Sequence, residues 1–111
     1  MSKIRFVVEE GQPHPVIFEY ITKRHSGKNH RIGVIVGVRN GDYYGVNFAQ
    51  ANTKEGDLFE PIAGFGIAIT RALGYIEAPP IPDGLQRQFL RFQGRCEAYF
   101  KGVNPGTAPK F

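Results

Sequence analysis

Cysteine is nearly absent: Cys96 stands alone, which excludes an internal disulfide and fits a reducing compartment such as a cytoplasm. No apolar run approaches the ~18 residues of a membrane span. The N-terminus also lacks the charged-then-apolar order of a secretion signal, so neither insertion nor export is expected. Metal-binding patterns are missing: His14, His25 and His30 have no cysteine or carboxylate pair at ligand spacing. Gly64-Phe65-Gly66 lacks the spacing and preceding strand of a dinucleotide fingerprint, and Gly27-Lys28 lacks the rest of a phosphate loop. No base, nucleophile or metal set stands at a motif spacing, so catalysis is disfavoured and no cofactor is expected.

What is present suits one folded domain. The chain has 111 residues, 41% hydrophobic and 22% charged, enough for a single core without staples. A net charge of +4 favours an anionic partner. Nine phenylalanines and five tyrosines must mostly fill the core, with some left for stacking.

The strongest local signal runs from His30 to Ala49 and reads as a β-hairpin turning at Asn40-Gly41. Asn-Gly suits a type I′ turn, in which both central residues take positive φ. Arg39 is then opposite Asp42, Gly33 opposite Phe48 and Gly37 opposite Tyr44. One face carries Ile32, Val34, Val36, Val38 and Tyr43; the other carries Ile35, Tyr44, Val46 and Phe48. Both faces are apolar, so helices are expected on one and a second subunit or more chain on the other.

Upstream, residues 3–9 read as an edge strand, and Val16 to Arg24 as a second strand between prolines and an SGKN turn. Lys23, Arg24, Lys28 and Arg31 cluster at that turn, as a solvated tip or a basic rim for an anion. Downstream, Ile62, Phe65, Ile69 and Leu73 recur at helical spacing, with Pro61 at the start and Gly74 just past the end. Ala63, Gly64, Gly66 and Ala68 leave the opposite face open to close approach. Pro79, Pro80 and Pro82 stiffen the next connection before Asp83 caps a second helix. Its apolar positions, Leu85, Phe89, Phe92, Cys96, Tyr99 and Val103, form a narrow seam beside a stripe of Arg87, Arg91 and Arg95.

The expected fold is therefore α+β: an antiparallel meander of about four strands over residues 3–49, then helices over 59–74 and 83–101. Residues 1–103 form the domain and 104–111 a flexible tail. The apolar excess on the hairpin and the seam predicts a homo-oligomer.

Asp57-Leu58-Phe59, Gly64, Ile67-Ala68 and Arg71-Ala72-Leu73 follow a strand ending YYGVNFA. Over roughly residues 32–74 this resembles small phage proteins in which a helix of pattern D-x-F, G-x-x-I-A-x-x-R follows a hairpin. Among them is the first Thoeris anti-defence family, phage sponges that sequester the cyclic ADP-ribose signals of bacterial immunity. The chain departs from that family at Phe65, where a basic residue often follows the helix glycine. The resemblance implies binding of a cyclic ADP-ribose isomer or related cyclic nucleotide without turnover, and it carries over Arg71 alone. For such a ligand the residue types add Arg91 and Arg95 for the diphosphate, Tyr44 for the adenine ring and Asn47 for its edge. Two other readings stand beside it. One is a basic nucleic-acid-binding module using Arg87, Arg91 and Arg95; the other is a phage inhibitor docking on a host protein through the tail or the hairpin edge.

Overall fold

The computed structural model describes residues 2–7, 13–52 and 58–106. Four antiparallel strands form a meander: β1 (Ser2–Val7), β2 (Pro13–His25), β3 (Lys28–Asn40) and β4 (Tyr43–Gln50). Helix α1 (Pro61–Ala72) follows, then a single 3-10 turn at Asp83–Leu85 that leads into α2 (Gln86–Tyr99). A two-residue strand β5 (Asn104–Pro105) closes the sheet by lying parallel to β4. The expected α+β architecture is therefore present, with β1 on the predicted edge. Residues 8–9 of the expected first strand lie outside the described residues.

The two hairpin turns differ from expectation in an instructive way. Asn40 pairs with Tyr43, so the central turn residues are Gly41 and Asp42. Gly41 has φ of 64° while neither Asn40 nor Asp42 is positive, the pattern of a type II′ turn led by glycine. The I′ pattern lies instead at the preceding hairpin, where Ser26 and Gly27 have φ of 53° and 77°. Moving the turn by one residue shifts the pairing by two: Gly37 faces Val46 and Gly33 faces Gln50. An even shift leaves every side chain on its expected face. Ile32 is the exception, because β3 bulges there, between the Ile21–Gly33 and Thr22–Arg31 pairs. The bulge carries Ile32 to the face opposite Val34, where it joins the Ile35 cluster.

Each face of the sheet is covered by one helix of the same chain. Val16, Val34, Val36, Val38 and Ala49 meet Ala68, Ile69 and Ala72 of α1. On the reverse face, Ile17, Ile21, Ile35, Val46 and Phe48 meet Leu85 of the 3-10 turn and Phe89, Phe92 and Cys96 of α2. More chain, not a second subunit, covers the second face, so the hairpin itself gives no cause for oligomerisation. The seam of α2 points at the sheet through Cys96, but the next buried ring is Phe100, not Tyr99.

Helix α1 approaches through its small residues. Gly64, Ala68, Ile69 and Ala72 are its buried positions, whereas Ile62, expected in the core, is 86% exposed. Gly45 explains the closeness: a Cβ there would collide with the Ala72 carbonyl. The helix starts at Pro61 and ends in a Schellman motif, with Tyr75 N donating to the Thr70 carbonyl and Gly74 N to the Arg71 carbonyl. Asp83 makes no side-chain cap on α2; its carboxylate accepts from Gln86 Nε2 at 3.3 Å.

Part of the expected tail is pinned. Asn104 N donates to the Asp42 carbonyl and Gly106 N to the Tyr44 carbonyl, tying residues 104–106 to β4. No helix among the described residues is long and apolar enough to cross a membrane.

Candidate functional site

The five residues proposed for a cyclic nucleotide do not converge within one chain. Arg71 lies on α1 and Asn47 on the α1 face of the sheet, opposite Val36. Tyr44 belongs to the α2 face, buried and stacked on Phe100 at 5.2 Å. Arg91 and Arg95 lie on α2, so the sheet separates them from Arg71.

Arg71 and Asn47 instead serve the open edge of β4. Beyond its contact with β5, that edge presents the Phe48 carbonyl and N–H with no neighbouring strand among the described residues. Arg71 Nη1 donates to the Phe48 carbonyl at 3.0 Å, and Asn47 Oδ1 accepts the Phe48 N–H at 2.9 Å. Both groups of an edge residue are thus satisfied, which blocks the edge as a template for another strand. Burial lowers the Arg71 pKa, and its Nε is buried without a hydrogen-bond partner.

The concave surfaces beside this edge are apolar and shallow. One of about 230 Å³ runs between Ala49–Ala51 and the Leu58, Phe59, Ala63, Gly64 and Ile67 side of α1. A second of about 330 Å³ lies between Tyr43–Gly45 and Ala72–Leu73. Among the described residues, neither is lined by a lysine or arginine.

Cations concentrate elsewhere, on the distal part of the β2–β3 hairpin. Every residue from Thr22 to Arg31 is exposed, so beyond the bulge the two strands continue as a ribbon with neither helix over it. Four rungs build it: Thr22–Arg31, Lys23–His30, Arg24–Asn29 and His25–Lys28. At about 3.4 Å per residue the four rungs span roughly 10 Å. Alternation places Lys23, His25, Lys28 and His30 on the α2 side; the His25 and His30 rings, 6.3 Å apart, share that face. Arg24 and Arg31 take the α1 side, where the Arg31 guanidinium sits 4.1 Å over the Tyr20 ring. Between Glu19 and Asp42 the sequence contains no carboxylate. The sequence pattern showed this cluster, but not that it would stand on a ribbon exposed on both faces.

The arginine stripe of α2 adjoins the base of this ribbon. Gln88 Nε2 donates to the Tyr20 carbonyl at 3.2 Å, two residues before Thr22. Arg95 Nη1 is 3.8 Å from Glu19 Oε2, an exposed guanidinium beside a half-buried carboxylate. Gln88 and Arg95 thus fix one side of α2 to β2, and Arg91, three residues after Gln88, lies on that same side. Arg87 and Arg91 are exposed.

Cys96, buried at the sheet, is a poor nucleophile: burial, with a smaller contribution from Glu97, pushes its thiol up to about 12. Among the described residues, no group of three or more His, Cys, Asp or Glu is placed to hold a metal ion. Compared with known proteins, the chain matches no family model, no curated protein and no solved structure.

Proposed function

We propose that this chain is a nucleic-acid-binding module whose contact element is the basic ribbon of residues 22–31. The observation that carries the reading is the charge of the ribbon: Lys23, Arg24, Lys28 and Arg31 stand on ten exposed residues, with no acidic residue in the sequence between Glu19 and Asp42. Two unsupported strands are marginal in water, and like charges on them repel. A surface selected only for solubility interleaves both signs. A one-sign ribbon suits a polyanion, whose phosphates neutralise these cations and release counterions on binding.

The cyclic-nucleotide reading needs a pocket that buries the ligand. Its proposed contacts stand on both sides of the sheet, so a common pocket for them requires an interface between copies of the chain. The two readings separate in one experiment. Fluorescence anisotropy with labelled DNA at low salt should show binding by the wild type. That binding should be lost in a variant with Lys23, Arg24, Lys28 and Arg31 all changed to Gln, at an unchanged melting temperature. Absence of DNA and RNA binding, together with a thermal shift on adding a cyclic ADP-ribose isomer, would replace this reading with the sponge.

A further inference from the structure

We infer that the ribbon enters the major groove of duplex DNA while Arg87 and Arg91 of α2 hold phosphates beside that groove; this rests on the nucleic-acid reading above and specifies its partner. Three features point to a duplex. First, cations stand on both ribbon faces, Lys23 and Lys28 on one and Arg24 and Arg31 on the other, which suits an element with a phosphate wall on either side. Second, single-strand binders present aromatic rings for bases to stack on. Residues 22–31 contain no Phe, Tyr or Trp, only the smaller rings of His25 and His30, and Arg31 covers the Tyr20 ring at the base. Third, two strands about 4.8 Å apart with their side chains fit a groove about 12 Å wide but not one of about 6 Å. The deep, narrow major groove of duplex RNA excludes the ribbon.

The second contact follows from how α2 is anchored. The Gln88 bond to the Tyr20 carbonyl sets the first turn of α2 at the ribbon's root. Arg87 and Arg91 are both exposed there, one helical turn and about 6 Å apart. That separation lets each reach its own phosphate, since phosphates on one strand recur every ~3.4 Å along the axis. Arg95 is withheld by Glu19 at 3.8 Å.

The test is a salt series of binding to a random-sequence DNA duplex, with its single strand and the matching RNA duplex as comparison probes. The duplex should bind at least ~10-fold more tightly than either comparison probe. Its log K against log salt should have a slope of about −5, for six cations. Arg87→Gln with Arg91→Gln should lower the slope magnitude by about two, Arg87→Lys with Arg91→Lys should leave it, and Glu19→Gln, which frees Arg95, should raise it by about one. An unchanged slope in the double Gln variant, or equal affinity for single strand or RNA duplex, overturns this inference while leaving nucleic-acid binding intact. No binding of the wild type to any of the three probes overturns the proposed function itself.

Discussion

The Cys96 sulfur occupies the space over Gly37 that a side chain would fill: a Cβ on Gly37 would lie 2.5 Å from Cys96 Sγ. The contact seats α2 on β3 and leaves the thiol buried, with its pKa pushed up to about 12. An unfolded thiol loses its proton near pH ~8.5, so above that the unfolded state binds fewer protons than the folded one and stability falls as pH rises. The contribution is fully present below about pH 8.5 and is lost towards pH 12, by about 1.4 kcal/mol per unit. Urea unfolding at about pH 8 and about pH 10 should therefore show a loss about 2 kcal/mol larger for the wild type than for Cys96→Ala. Equal losses would place the thiol in contact with water.

Two strand glycines should respond differently to alanine. At Gly45 the new methyl meets the backbone carbonyl of Ala72, which cannot move without α1. At Gly37 it meets the end of one cysteine side chain. Gly45→Ala should cost about 3 kcal/mol or more and Gly37→Ala about 1–2 kcal/mol by chemical denaturation. The reverse order would mean that α1 does not pack as closely as described.

The turn residues give a sharp contrast. Gly41 has positive φ and Asn40 does not. Gly41→Val should lower stability by about 1–3 kcal/mol, while Asn40→Val, in a strand conformation, should be nearly neutral. A large loss at Asn40 would restore the type I′ turn.

That contrast also shows how far the sequence could be read. Asn40-Gly41-Asp42 supports I′ centred on Asn40-Gly41 and II′ centred on Gly41-Asp42 equally well, and nothing local chooses between them. The sheet faces were legible regardless, because the alternatives differ by an even register shift. The bulge at Ile32 has no residue signature, so the placement of Ile32 was not legible. Helix α1 was visible from its period, its proline and its glycine. Its small face was legible as the side of close approach, and Gly64 and Ala68 are buried there; that Ile62 would stay outside was not, because large residues dominate a hydrophobic pattern while Gly45 selects small ones for contact. Arg71 and Asn47 looked like ligand contacts because their residue types suit one. Only the topology, which leaves β4 open beside Phe48, gives them another task.

That task predicts a phenotype. Arg71→Met or Asn47→Ala removes the partner of one Phe48 backbone group, at a cost of about 1–2 kcal/mol each. The double variant should also self-associate through the opened edge, seen by light scattering, while DNA affinity stays unchanged. Loss of DNA binding without loss of stability would return both residues to the binding site.

Amide NMR of the full chain, titrated with a DNA duplex at low salt, tests the central claim most directly. The account predicts shift changes concentrated in residues 22–31 and the first two turns of α2, with α1 and the Phe48 edge unmoved. Shifts centred on Arg71, Asn47 and the groove beside Leu58, or no shifts at all, would contradict it.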